Sequence, residues 1–394
     1  MFPSDHTRRV HDTPVFILTL IILLSIPSII ISGPPEIIWE TNLTTGFDCR
    51  FWGVDCTDDG GAVCAGESAF GDGETTSLLL TKYTPLGLVQ WQTVTGWGLA
   101  TTGQDVLQVP GGYIVCGSIF SGTDYDGFIA KFDYFGDIVW CNHLENLRDD
   151  VLYDVTLSGD SCYAAAGYTE STGSGRKDAW LVLVDFYGNL QWSRSFGTSE
   201  SEIAYSVAAL RDGGFALAGG SEGNFYIVIT DEEGIERDTR AFDHGGHETA
   251  RVLIESKEGG FFIAGSTMES GSYQANIWLA RVDFSWNEIW SYEIEREDND
   301  SAWDVVEPVT GGYIILGNTM SSGSGKYDAV LYRIDPWGKI IWEICAGDSL
   351  WNTSSGLSMN SEGNLFFAGR TELSEGGLFA SWIVYTTPED LLDW

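Results

Sequence analysis

His244-Gly-Gly-His247, with Asp243 before it and Glu248 after it, is the chain's single paired-histidine cluster. Imidazoles beside carboxylates are the side chains that bind transition metals, but this pair lacks the i, i+4 helical spacing of a zinc protease. A solvated loop is the plainer reading. Acid pairs recur at Asp72-Gly-Glu74, Asp124-Tyr-Asp126-Gly127 and Glu297-Asp-Asn-Asp300. Hard cations take about six to eight oxygens from such loops, and none of these spells out a complete calcium loop. Asp124, Asp126, His244 and His247 are the candidate metal ligands, although bonding the local backbone is the expected job of Asp126; no cofactor is predicted, and Ca2+ is the one these loops would admit.

Nucleophilic chemistry has less to rest on. Gly219-Gly-Ser221-Glu-Gly223 carries the letters of a hydrolase nucleophile elbow. That motif works only where a strand feeds a helix in an α/β sheet, and here it falls in a short turn between strand patterns. No phosphate-binding loop or dinucleotide fingerprint is present, and no catalytic residue is assigned. Trp97, Phe120, Tyr125, Tyr273 and Trp351 sit in polar connecting segments, where rings can anchor a partner or stack on a sugar. Asn42, Asn299 and Asn352 begin Asn-x-Ser/Thr acceptors for N-glycosylation.

The charge narrows the partners. Twenty Lys and Arg against 57 Asp and Glu give −37, far beyond the roughly 2 to 8 units usual in small domains. Nucleic acid binding needs a basic footprint and is disfavoured. Residues 1–33 contain Asp5, Asp12, Arg8 and Arg9, so the whole excess lies beyond them. There the paired arginines precede an apolar run from Val15 to Ser32, which reads as a signal peptide or a retained membrane anchor in helical form. Either places the remainder outside the cytoplasm, secreted or held at the outer face of the membrane by residues 15–32. Seven cysteines leave at least one unpaired; Cys56 and Cys64 flank a hairpin turn and could face each other, but small buried hydrophobes are the expected role.

Positioning is supplied by a repeat. Trp39, Trp91, Trp140, Trp192, Trp290, Trp342 and Trp394 follow one another at 52, 49, 52, 46, 52, 52 and 52 residues once Asp238 fills the empty slot. A period near 50 residues marks copies of one supersecondary unit. Each unit reads as an apolar run, a Gly-Gly or similar turn, a second run, a polar stretch, a third run, an Asp-x-x-Gly turn and the tryptophan strand. Alternating segments such as Phe128–Phe132 and Val330–Ile334 are strands rather than helices. Four strands per period predict an all-β, seven-bladed propeller of antiparallel blades over residues 34–394, preceded by the leader helix.

The units Asp126–Trp140, Asp178–Trp192 and Asp328–Trp342 resemble the bacterial and archaeal extracellular β-propeller repeat known as the SBBP repeat, over roughly residues 36–394. The resemblance implies an exported propeller. The repeat is more loosely similar to the tryptophan-docking blades of quinoprotein dehydrogenases, which carry a longer turn, so their cofactor does not carry over. Propellers close by pairing terminal strands, and either Glu36–Leu43 or Leu391–Trp394 is expected to complete the last blade. Long connections are expected to share one face and to carry binding. The reading is a non-catalytic scaffold for an extracellular protein or glycan; the alternatives are an exported glycan hydrolase, lyase or quinoprotein-like oxidoreductase, or a cation-stabilised envelope component.

Overall fold

The computed structural model describes residues 34–69, 75–144, 146–159, 162–242 and 246–388. The leader, with its predicted helix, and the terminal Leu391–Trp394 lie outside the described residues. Among the described residues no helix is long and apolar enough to cross a membrane.

Among the described residues all the regular elements are strands. In chain order they are β1 (Ile37–Leu43), then β2 (Cys49–Cys56), β3 (Ala62–Ala69), β4 (Thr76–Tyr83) and β5 (Val89–Thr95). Next come β6 (Ala100–Val109), β7 (Gly112–Phe120), β8 (Tyr125–Phe132) and β9 (Ile138–Leu144), followed by β10 (Asp150–Ser158), β11 (Cys162–Thr169), β12 (Asp178–Asp185) and β13 (Leu190–Phe196). The middle of the chain gives β14 (Glu202–Ala209), β15 (Phe215–Ser221), β16 (Asn224–Thr230), β17 (Glu236–Phe242), β18 (Gly246–Glu255), β19 (Phe261–Glu269), β20 (Ala275–Val282) and β21 (Glu288–Ile294). The last are β22 (Asp300–Val306), β23 (Tyr313–Thr319), β24 (Asp328–Ile334), β25 (Ile340–Ala346), β26 (Asn352–Met359), β27 (Asn364–Glu372) and β28 (Phe379–Pro388).

The sheet pattern corrects the expectation of seven separate four-stranded blades. Five sheets are four-stranded antiparallel blades, and the sixth is a continuous eight-stranded sheet running from β2 to β9. One parallel bridge, Thr76 to Ala100, makes the join, because β6 starts early enough to reach the head of β4. The corresponding bridges Lys177 to Ser201 and Tyr327 to Trp351 lie just outside the strands beside them, so those neighbours remain separate sheets. The architecture is a β-propeller. In the sheet containing the first and last described strands, the order is β1-β28-β27-β26, with Glu40 opposite Val384 and Asn42 opposite Trp382.

Packing between neighbouring sheets explains the tryptophan period. In Asp133–Gly136 the carboxylate of Asp133 accepts the N–H groups of Phe135 and Asp137 at 2.8 and 3.0 Å, and Gly136 takes φ +82°. Closing that turn takes a left-handed backbone, which glycine adopts without strain. A Cβ on Gly136 would also come within 2.7 Å of the Trp91 ring, which lies flat over the turn from the neighbouring strand. The same seating brings Trp39 to Gly87, Trp140 to Gly188, Trp192 to Gly234 and Trp290 to Gly338. Four of these indoles donate to a turn carbonyl, as Trp39 does to Pro85 O at 3.0 Å.

One junction inverts the rule. Asp238 occupies the tryptophan slot of β17, and Trp286 occupies the glycine slot of the Asp283–Trp286 turn, at φ +65°. The indole of Trp286 reaches back and donates to Asp238 Oδ2 at 2.8 Å, while its ring stacks on Phe261. The bulky group has moved across the gap, and a cavity of about 540 Å³ remains beside it, lined by Ile229, Phe261 and Phe284 among others.

Buried bases fasten the same turns. Lys82, Lys131, Arg281 and Arg333 lie beneath the surface and donate to backbone carbonyls, Lys82 to Tyr83 O and Arg333 to Ile334 O, both at 2.7 Å. All seven cysteines are free thiols, so Cys56 and Cys64 are not bridged; burial pushes the Cys56 thiol up to about 12.

Candidate binding site at the axial mouth

The first strand of each repeat lines the axis, and each has a register shift at the same place. Two residues of β2 between Phe51 and Gly53 face a single step of β3, and the equivalent shifts fall at Gly103/Asp105, Leu152/Asp154, Ala204/Ser206, Ala250/Val252, Ala302/Asp304 and Ser354/Gly356. A bulge re-aims the extra side chain. The residues so placed are Trp52, Gln104, Tyr153, Tyr205, Arg251 and Trp303, with Ser355 closing the set, and all are half-buried. They surround a cavity of about 90 Å³. Each inner strand begins at the long connections and ends at the tight turn, so the bulge places this mouth toward the longer-loop face.

Directly below lies a layer of acids. Asp154 accepts the Val207 N–H and Asp304 the Leu357 N–H, each at 2.7 Å, and Asp105 accepts the Val155 N–H at 3.2 Å. Each carboxylate thereby ties one inner strand to the next. Asp55, nearer the tight-turn side, bridges both its neighbours by accepting the Gln108 N–H and the Ser358 hydroxyl. Burial pushes Asp304 up to about 7 and Asp55 to about 6. Asp105 and Asp154 hydrogen-bond to each other, and burial, reinforced on Asp105 by its neighbour's charge, drives both upward. A pair so close shares a proton rather than carrying two charges. Beyond this layer the channel widens into a cavity of about 350 Å³ toward Arg211 and Glu255.

The mouth carries a continuous arc of rings around one cation. Tyr168 packs on Tyr153 at 6.1 Å, and Tyr153 on Tyr205 at 5.3 Å. The Arg251 guanidinium then lies 4.3 Å from the Tyr205 ring centroid and 4.5 Å from that of Trp303. Opposite, Arg50 lies 4.5 Å over Trp52 and is ion-paired to Glu67 at 2.7 Å. Arg251 differs from Arg50 and from the buried bases of the turns: among the described residues no carboxylate or carbonyl accepts from it. Burial lowers its pKa from the usual arginine value, and the neighbouring tyrosines act the other way.

The residues singled out from sequence lie elsewhere. Phe120 and Tyr125 meet at 4.9 Å across their hairpin. Trp97 packs on Phe128 and His143, Trp351 stacks on Tyr327, and Tyr273 is 92% exposed. Asp124 is tied into its own turn by Ser121 and Thr123, whereas Asp126 is buried and accepts the Asn146 N–H at 3.1 Å. His247 is exposed beside Gly223, and His244 lies outside the described residues. Among the described residues no three metal-binding side chains converge. Asn42 is exposed on β1; Asn299 accepts the Ala275 N–H, and Asn352 is buried with its amide bonded to Asp348 and Thr371.

A signal for the axial residues was present in the sequence. Positions 52, 104, 153, 205, 251, 303 and 355 repeat the tryptophan spacing step for step, and each precedes a small or acidic residue followed by Val or Leu, except Arg251, where Val252 intervenes. What hid them is their setting inside strands.

No family model matches the chain. It is 25% identical over 133 residues to the lambda-carrageenase of Pseudoalteromonas carrageenovora, which is 34% of this chain and 13% of that enzyme. Among solved structures it is similar to BBS1N in complex with ARL6DN, with a TM-score of 0.53, 11% identity and coverage of 91% of this chain and 98% of the other. YCF48 bound to D1 peptide gives 0.52 at 10% identity, over 92% and 98% of the two chains. Sqt1 from Chaetomium thermophilum gives 0.51 at 12% identity, over 91% and 100%. At such identities the likeness is one of fold: this chain folds as a β-propeller.

Proposed function

We propose that this chain is an exported, non-catalytic propeller that binds a glycan at the axial mouth of its longer-loop face. The observation that carries the reading is the bulge ring, which turns Trp52, Tyr153, Tyr205 and Trp303 toward one small opening. Aromatic faces arranged around a shallow mouth suit the apolar faces of sugar rings. The partial similarity to a carrageenase favours a saccharide over a protein ligand. Export is supported by Arg8, Arg9 and the Val15–Ser32 run, and by the likeness of the repeats to the SBBP-type extracellular family.

A glycan hydrolase reading would draw on Asp105 and Asp154, the closest acid pair of the channel. Their arrangement argues against it. Glycosidase carboxylates stand roughly 5–9 Å apart around the scissile bond, whereas these two bond directly to each other and to strand N–H groups.

Isothermal titration of the purified protein with neutral and charged oligosaccharides tests the proposal. Trp303→Ala should weaken binding about tenfold or more, in line with the roughly 1–3 kcal/mol attached to an aromatic stacking contact. Binding that survives alanine at both Trp52 and Trp303 would refute this site.

A further inference from the structure

We infer that the axial mouth selects an acidic saccharide, with Arg251 holding its carboxylate or sulfate group; the inference rests on the glycan-binding reading above. Three observations converge on this residue. Its guanidinium is sandwiched between the faces of Tyr205 and Trp303, which fixes its position and leaves its edge for an acceptor. Every base buried in the turns donates to carbonyls, while Arg251 has no such acceptor among the described residues. A planar guanidinium donates two parallel hydrogen bonds to a carboxylate or a sulfate, an arrangement that lysine does not reproduce.

The surroundings determine what fits. The cavity of about 90 Å³ has room for roughly three waters, enough for an anionic head group but not for a sugar ring. The ring must therefore stay on the rim, against Trp303 and Tyr153. Beneath the mouth the acids would repel an anion if all were ionised. Asp105 and Asp154 share a proton, and burial keeps Asp304 part-protonated near neutrality, so the floor is less negative than its composition. The remaining surface charge is screened beyond about 8 Å at physiological salt.

The overall charge of −37 makes the inference easy to test, since such a surface has no general affinity for anions. Any preference for an acidic ligand must come from a particular cation. The titration compares a sulfated oligosaccharide, its unsulfated counterpart, inorganic sulfate alone and an acidic peptide with a free C-terminal carboxylate. The sulfated sugar should bind about tenfold more tightly than the neutral one, the usual scale of a charge-assisted hydrogen bond. Arg251→Gln should bring the ratio of sulfated to neutral affinity close to one, and Arg251→Lys should restore part of it. A far-ultraviolet circular dichroism spectrum and a melting temperature unchanged in Arg251→Lys guard against misfolding.

Equal affinity for neutral and sulfated sugar, or a preference unaffected by Arg251→Gln, overturns this inference and leaves glycan binding intact. Failure of both sugars to bind the native protein removes the glycan reading itself. Sulfate alone binding as tightly as the sulfated sugar, or the peptide binding in place of both, would show that no saccharide is recognised.

Discussion

Single residues in this protein do two jobs at the axis, and the division follows from one backbone shift. The bulge turns Trp52, Tyr153, Arg251 and Trp303 into the mouth and sends the next residue, aspartate in three strands, to the neighbouring strand's N–H. These acids should make stability depend on pH. Asp55 and Asp304 hold protons in the folded protein up to about 6 and about 7, while in the unfolded chain they lose them near 3.8. Folding therefore takes up protons between those limits, and stability falls as pH rises through that window. Asp59 and Asp212, whose pKa values are lowered, act in the opposite direction and cost stability only when the pH drops below the ordinary aspartate range. Thermal melts should thus show a higher midpoint near pH 5 than near pH 8, and Asp304→Asn should flatten the slope. A slope unchanged in that variant would mean that other groups set it. At the turns, Gly188→Ala should cost roughly 2 kcal/mol or more, because alanine must adopt φ +85° with its Cβ 2.6 Å from the Trp140 ring. Denaturant titration reads this directly.

At the scale of elements, the Asp-x-x-Gly turn and the indole above it form one unit shared by two neighbouring sheets. This was legible in the sequence, since Asp, Gly and Trp each have a turn or packing requirement that few residues meet. The exception at Asp238 was visible as an empty slot, but its partner was not: Trp286 stands where the other turns have glycine, and only the structure shows its indole crossing to Asp238. A double-mutant cycle should expose the linkage. Trp286→Gly removes a packed ring but relieves a left-handed backbone, for a net loss of roughly 2 kcal/mol. Asp238→Trp alone crowds the gap. Together the two restore the usual arrangement, and the double variant should unfold at higher denaturant than either single one, with a coupling of about 1 kcal/mol or more. Simple additivity would show that the two positions are independent. The bulge ring was harder to read. Strand alternation predicts inward and outward faces, but a one-residue shift changes which residue reaches the axis, and that shift is set by pairing with the next strand. Loop aromatics such as Tyr273 and Trp351 stand out in their polar segments but lie outside the axial lining.

Over the whole molecule, the repeat made the all-β propeller legible, while the grouping of its strands into sheets depended on a single bridge, Thr76 to Ala100, which no residue type encodes. The pairing of β1 with β28 covers what would otherwise be an open edge. Removal of residues 34–43 should lower the melting temperature and cause concentration-dependent self-association, measurable by light scattering; a monomer of unchanged stability would show that the pairing contributes little. The crossed exchange of Trp286 and Asp238 also bears on how such an array can grow. Repeats multiply by copying one unit and inserting it beside another, and a unit with the ordinary tryptophan and glycine can be inserted at most junctions. Here replacing either member alone carries a cost: a copied unit bringing tryptophan at 238 would crowd Trp286, and one bringing glycine at 286 would leave Asp238 without its indole partner. The seam between these two neighbouring units would therefore accept an ordinary repeat only if both positions changed together.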